Sequence, residues 1–146
     1  MNKRSSAFAL IIPLALLTAL TGCPTPVPPP AEAVLEGRWQ LTGDVISDDV
    51  SAFFVTFDAN GNISKIDYRV GLVQVTVDEP GFISTDSTVN GSSVSIIATW
   101  FSVNNLGFSG IANADFSRVD GNASYRLVIG SVSVDVPAGA ATLIRQ

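Results

Sequence analysis

The sequence predicts an all-β fold, a single antiparallel up-and-down β-barrel of about eight to ten strands, and three observations support this prediction. Apolar and polar residues alternate with a period of two over most of residues 33–146. Gly, Asn and Asp cluster between these runs at intervals that suit hairpin turns. Beyond the apolar N-terminus, no segment shows the 3.6-residue period of an amphipathic helix. Closure of a hairpin meander into a barrel would remove its exposed edges.

The first half of this domain shows the alternation most clearly. Turns are predicted at residues 58–61, where Asp, Asn and Gly occur together, and at residues 79–81. The residues predicted to face inward on the first four strands are Gly37, Trp39 and Leu41, then Phe53, Val55 and Phe57, then Ile66, Tyr68 and Val70, then Val73, Val75 and Val77.

The second half is richer in Ser, Thr and Gly but keeps the same period. A weaker strand is predicted over residues 82–89, with Asn90 and Gly91 as the hairpin turn that follows it. Further turns are predicted at residues 104–107 and 120–122, and a bend or bulge at Gly130. The predicted inward residues are Val94, Ile96, Ala98 and Trp100, then Phe108, Gly110, Ala112, Ala114 and Phe116, then Tyr125, Leu127 and Ile129, then Val132, Val134 and Val136. An immunoglobulin-like sandwich would need longer crossover connections than these turns allow.

Residues 1–22 have the features of a cleaved signal peptide. Lys3 and Arg4 supply the positively charged n-region of such a peptide. Residues 7–20 form an apolar run that is short for a permanent transmembrane helix. Residues 23–32 are rich in proline, which fixes φ and lacks the backbone donor, so they are predicted to be an extended linker before a domain of residues 33–146.

The segment Leu20-Thr21-Gly22-Cys23 resembles the lipobox of bacterial lipoproteins. The resemblance implies cleavage between Gly22 and Cys23, a diacylglyceryl group on the Cys23 thiol, and acylation of the new amino group by a chain such as palmitate. Several acyl chains would hold the protein stably at the bilayer. In a Gram-negative cell envelope, Pro24 in place of Asp favours the outer membrane. The alternative is an ordinary signal peptide followed by an incidental Cys.

The composition limits the partners and the chemistry. Removal of residues 1–22 leaves six basic against thirteen acidic side chains, a net charge of −7, which disfavours nucleic acid. The chain has no His and its one Cys is Cys23, so Ser-His and Cys-His nucleophile systems and the usual zinc sites are excluded. We therefore expect no enzyme, no metal site, and no cofactor besides the covalent lipid.

Acidic residues leave two alternatives to that expectation. The neighbouring carboxylates Asp48 with Asp49, and Asp78 with Glu79, are the pairs that acid and base chemistry on a glycoside would need. Asp44 with Asp48 and Asp49 supplies oxygen ligands of the kind that calcium prefers, but without a recognisable loop spacing. Acidic residues in connecting loops are more often simply solvated.

The start and end of the domain resemble a small bacterial lipocalin-like domain. Gly37-x-Trp39 lies on the first strand, and Arg145 lies near the end of the last one. The resemblance implies that Trp39 packs at the closed end of a barrel with Arg145 over its ring. The alternative is that Trp39 is an ordinary core aromatic.

Two functions follow from these predictions. The first is a membrane-anchored lipoprotein that binds a small hydrophobic ligand inside its barrel, with residues 44–50 at the mouth. Its candidate ligand contacts are Phe53, Phe57, Tyr68, Trp100 and Phe108. The alternative is a non-catalytic structural or protein-interaction lipoprotein with a packed barrel and no ligand pocket. An open pocket lined by Phe and Trp would distinguish the first from the second.

Overall fold

A computed structural model of the chain describes residues 34–79 and 81–146, and it confirms an all-β fold of nine antiparallel strands. The signal peptide, Cys23 and the linker predicted for residues 1–32 lie outside the described residues. The strands are β1 (Gly37–Gly43), β2 (Val50–Phe57), β3 (Ile63–Val70), β4 (Val73–Val77), β5 (Ile83–Asn90), β6 (Ser93–Trp100), β7 (Asn104–Ala112), β8 (Arg118–Ile129) and β9 (Val132–Arg145). Within the described ranges, no helix has the length and apolarity to cross a membrane.

All nine strands belong to one curled, barrel-like sheet with the order β4-β3-β2-β1-β9-β8-β7-β6-β5. Neighbours in the sheet are neighbours in sequence, except that β1 pairs with β9. That pairing brings the two ends of the domain together, with Trp39 opposite Arg145 and Gly43 opposite Ala141. Hairpin connections and this one long-range pairing therefore define the whole topology.

The two edges of the sheet meet along β3. β4 pairs with the second half of β3, from Ile66 to Val70. β5 contacts the start of β3 and the turn before it through side chains: the Ile63 amide donates to Thr85 Oγ1 at 3.1 Å, and Ser87 Oγ donates to the Gly61 carbonyl at 2.6 Å. β4 and β5 thus lie end to end beside β3, with an interruption between Val77 and Ile83.

The core lies inside the curl, where the predicted alternation places it. On β1 and β2 the side chains of Trp39, Leu41, Phe53, Val55 and Phe57 are buried, and those between them are partly or fully exposed. β6 alternates without a break from Ser93 to Trp100. The edge strands are less deeply buried: β5 alternates strictly, but between half-buried and exposed residues, and on β4 only Val77 is buried.

Three predicted turns were misplaced. Residues 120–122 lie inside β8, and the turn is formed by residues 113–117, where the Asn113 side chain accepts hydrogen bonds from the Ser117 and Arg118 amides. Residues 104–107 lie inside β7, and residues 101–103 turn instead. Asn90 pairs with Ser93, so the two-residue loop is residues 91–92, one position later than predicted.

Other predictions for the second half also need correction. Gly130 belongs to a complete hairpin turn, since Ile129 pairs with Val132, and not to a bend within a strand. Phe116 lies in the turn before β8 and not on a strand. Val73 and Val132 are about half exposed, because both lie at the start of a strand beside a tight turn.

Candidate functional site

The interior of the curled sheet contains a cluster of four aromatic side chains from four strands. Phe53 lies at its middle, with ring centroids 5.7 Å from Tyr68, 6.2 Å from Trp100 and 5.5 Å from Tyr125. Tyr68 and Trp100 also meet directly, at 5.9 Å in an edge-on arrangement. These separations are those of favourable aromatic packing, so the rings contact one another.

Each polar atom of this cluster has a hydrogen-bond partner: Trp100 and Tyr68 pair with each other, and Tyr125 Oη donates to the Val45 carbonyl. Trp100 Nε1 donates to Tyr68 Oη at 3.4 Å. Burial raises the pKa of the Tyr68 hydroxyl, and the hydrogen bond from Trp100 partly offsets that rise. Across the described residues, every buried side-chain nitrogen or oxygen has a hydrogen-bond partner. The cluster is therefore neutral and satisfied at physiological pH.

The five candidate ligand contacts all occupy this interior. Phe53, Tyr68 and Trp100 are at most 1% exposed, and Phe57 and Phe108 are buried beside them. Three of the five contact one another, as the ring distances show. Open grooves lie on the outside instead, including one of about 470 Å³ over β5 to β8 and one of about 450 Å³ beside Arg126 and Asp135.

The loop predicted at a barrel mouth, residues 44–50, folds onto the end of the sheet. Val45 and Val50 are buried, and Tyr125 Oη donates to the Val45 carbonyl. Burial, together with the negative charge of Asp49, raises the pKa of Tyr125 to about 12. This end of the interior is thus covered by an apolar side chain and closed by a buried hydrogen bond.

The structure brings Gly37, Trp39 and Arg145 together at the opposite end of β1. Gly37 has a φ of 116°, which only glycine adopts without strain. Trp39 is fully buried and its Nε1 donates to the Leu35 carbonyl at 2.7 Å. The Arg145 guanidinium lies 4.8 Å from the centre of the Trp39 ring and also donates to the Val34 carbonyl. Arg145 therefore fastens the last strand to the segment that precedes the first.

One carboxylate, Asp67, is 8% exposed on the outer face of β3. Thr76 Oγ1 donates to it at 2.7 Å, and its oxygens lie 3.5 Å from Lys65 Nζ and 3.7 Å from Arg38 Nη2. Its charge is compensated by two cations and one of its oxygens accepts a hydrogen bond, which indicates a structural group joining β1, β3 and β4.

The remaining candidate carboxylates are divided between two places. Asp44, Asp48 and Asp49 are exposed in the loop before β2. Asp78 and Glu79 are exposed in the interruption between β4 and β5. Among the residues that the structure describes, no group of three or more His, Cys, Asp or Glu side chains is placed to hold a metal ion.

Asp78 and Glu79 line two adjacent open pockets that together form a surface we call the acidic groove. One pocket, of about 300 Å³, is lined by Asp58, Asp78, Glu79 and the apolar side chains of Ile63 and Ile83. The other, of about 140 Å³, continues from Asp78 and Glu79 to Phe82 and Phe101. The acidic groove thus runs from the β2–β3 turn to the β6–β7 turn.

Phe82 and Phe101 form an exposed aromatic pair at the end of the acidic groove. They are 47% and 46% exposed, with ring centroids 5.4 Å apart, and the Phe101 amide donates to the Phe82 carbonyl at 3.3 Å. Phe82 directly follows the predicted turn at residues 79–81, which was the available signal that it lies outside the core. The turn that contains Phe101 was not predicted, so that residue had no such signal.

No protein-family model, curated protein or solved structure matches this chain. The likeness of Gly37, Trp39 and Arg145 to a lipocalin-like closed end therefore stays a resemblance, now with the geometry of those three residues described.

Proposed function

We propose that the protein is a non-catalytic cell-envelope lipoprotein that acts by binding another protein, with its barrel serving as a packed support. The observation that carries this proposal is the aromatic cluster around Phe53, which occupies the space where a barrel of this size would hold a small ligand. Recognition is then left to the outer surface and the loops.

Three further features support the proposal. The lipobox-like Leu20-Thr21-Gly22-Cys23 and the proline-rich residues that follow would tether the domain to a bilayer and hold it away from the surface. The sheet, with its edges meeting along β3, suits a closed lipocalin-like barrel with β4 and β5 sharing one strand position. The lack of His and of any second Cys fits a role without catalysis. An outer-membrane location in a Gram-negative host belongs to the same proposal.

Two measurements test this function. The full chain is purified from its host in a neutral detergent and extracted with organic solvent, and the extract is analysed by mass spectrometry against an extract of detergent alone. We expect no small apolar compound at near-equal stoichiometry. Recovery of such a compound would replace the proposal with the ligand-binding function.

The anchor is tested by metabolic labelling with an alkyne fatty acid. Wild-type protein should carry the label, whereas Cys23→Ala should carry none and should migrate as the uncleaved precursor. Equal labelling of the two proteins would contradict lipidation at Cys23.

A further inference from the structure

The interruption between β4 and β5 leaves a gap in the backbone ladder beside β3. β4 hydrogen-bonds β3 only as far as Ile66, and the Ile63 amide is taken by a side chain, Thr85 Oγ1. β4 ends at Val77 and β5 begins at Ile83, and the acidic groove lies between these two strand ends. The groove is therefore formed by the break between two strands and does not depend on the rotamer of one side chain.

The acidic groove carries negative charge. Its described lining residues include Asp58, Asp78 and Glu79 and contain no Lys or Arg. Four of the six cations of the domain form ion pairs elsewhere: Arg38 and Lys65 with Asp67, Arg118 with Asp120, and Arg126 with Asp135. The other two also have contacts elsewhere, since Arg69 Nε donates to Gln74 Oε1 and Arg145 lies over the Trp39 ring. A ligand that binds here would meet three carboxylates, so positive charge is the complementary chemistry.

The aromatic pair supplies an apolar contact next to that charge. Phe101 and Ser102 both adopt positive φ values, 50° and 59°, which are uncommon for residues other than glycine. The turn that they form holds the Phe101 ring against Phe82, outside the core and half in solvent. Exposed aromatic side chains held on a strained turn are features of binding surfaces.

We propose that the acidic groove and the aromatic pair together bind a cationic segment of a partner protein, one in which an Arg or Lys side chain lies next to an apolar side chain. This inference rests on the proposed function and names the chemistry of the partner. The carboxylates receive the cation, and Phe82 and Phe101 receive the apolar neighbour, over which Arg also stacks favourably.

The test uses the full chain in a neutral detergent and a fluorescent synthetic peptide in which two Arg residues precede Leu and Phe. Binding is followed by fluorescence anisotropy at low and at high salt. We expect wild-type protein to bind the peptide, with affinity falling as salt rises. The double variant Asp78→Asn with Glu79→Gln should bind about tenfold more weakly, because two charge contacts are lost.

The matched control is the double variant Asp44→Asn with Asp48→Asn. This variant also removes two negative charges, but from the exposed loop before β2. That loop is separated from the acidic groove by the length of β2, because Asp58 of the groove follows the other end of the strand. We expect the control variant to bind like wild type, Phe101→Ala to bind more weakly, and a peptide with Glu in place of Arg not to bind. Equal weakening by the two double variants would reduce the effect to net charge and overturn the inference, as would a wild-type protein that fails to bind.

This result can be separated from the test of the proposed function. If the peptide fails to bind while the purified chain yields no small molecule and labelling depends on Cys23, the proposed function stands and the acidic groove is not its binding surface. If an apolar compound is extracted, the proposed function fails whatever the peptide does.

Discussion

Gly110 on β7 and Gly121 on β8 lie directly opposite each other, and their backbones are so close that neither position has room for a Cβ atom. A Cβ on Gly110 would lie 2.5 Å from the Asp120 carbonyl oxygen, and one on Gly121 would overlap the Ser109 carbonyl oxygen. The obstacle is backbone in both cases, so a change of rotamer cannot relieve it. The pair fixes a close contact of two strands in the second half of the sheet.

Gly121→Ala should therefore destabilise the domain by about 3 kcal/mol, since the two strands must move apart. Gly107→Ala on the same sheet is the control, because its Cβ would lie at an ordinary 3.5 Å from Ser124 Oγ. Denaturant unfolding of the two variants measures the difference. Equal losses of stability would contradict a contact specific to Gly121.

In the turn at residues 101–103, a substitution to glycine should increase the stability of the domain. Ser102 has a φ of 59°, so Ser102→Gly should raise the free energy of unfolding by about 0.5 to 1 kcal/mol through relief of strain. Ser95→Gly, at an exposed position within β6, should lower it by about the same amount because glycine weakens a strand. Thermal unfolding of both proteins checks the signs, and a loss on Ser102→Gly would count against the strain.

The contact between Arg145 and Trp39 should contribute to stability. Arg145→Ala removes a cation over the ring and a donor to the Val34 carbonyl, with an expected loss of about 1 to 2 kcal/mol. Arg126→Ala is the comparison, since Arg126 is exposed and makes only a surface ion pair with Asp135 at 3.5 Å. Chemical unfolding followed by tryptophan fluorescence should show the larger loss for Arg145→Ala, and similar losses would argue against the stacked contact.

Ionisation of Tyr125 should lower the stability of the folded domain at alkaline pH. Its pKa rises from an ordinary 10.0 to about 12 in the folded protein because burial and Asp49 disfavour the phenolate. The unfolded chain therefore loses this proton first, so the stabilisation is complete below pH 10 and is lost as the pH rises from about 10 to about 12. Unfolding midpoints measured across this range should decline, with tyrosinate absorbance reporting the titration.

Tyr125→Phe is the matched variant for that prediction. It should lower stability at neutral pH by about 1 kcal/mol, because the Val45 carbonyl loses its donor, and it should flatten the decline between pH 10 and 12. A decline of unchanged steepness in this variant would assign the alkaline sensitivity to another group.

The alternation of apolar residues was sufficient to predict the all-β class, the number of strands and most of the core. Period-two burial on β1, β2 and β6 follows directly from side chains that alternate across a strand. Turn positions were harder to predict, because Asn and Gly also occur within strands, where they form buried hydrogen bonds or allow two strands to approach closely. Asn104 is buried in β7 and accepts a hydrogen bond from the Val128 amide, and Gly121 permits the approach to Gly110, so neither forms the turn that its residue type suggested.

The candidate site was less predictable than the fold. The sequence shows that Phe53, Tyr68 and Trp100 point inward, but only their ring distances show that they contact one another. Asp58 is far in sequence from Asp78 and Glu79, and the three residues line one pocket at the point where β4 ends beside β3. A break in one strand depends on long-range pairing, which alternation within a strand does not encode.

The pairing of β1 with β9 has a consequence for how the chain folds. Thr42 Oγ1 donates to the Thr142 carbonyl across a separation of 100 residues, so a loop of nearly the whole domain must close before the sheet is complete. Long-range pairings of this kind slow folding. A chain synthesised from its N-terminus cannot form them until β9 exists, and β1 keeps an unpaired edge until then. The outer edge of β1 is therefore the part of the sheet that stays open until the ninth strand has been made and has docked.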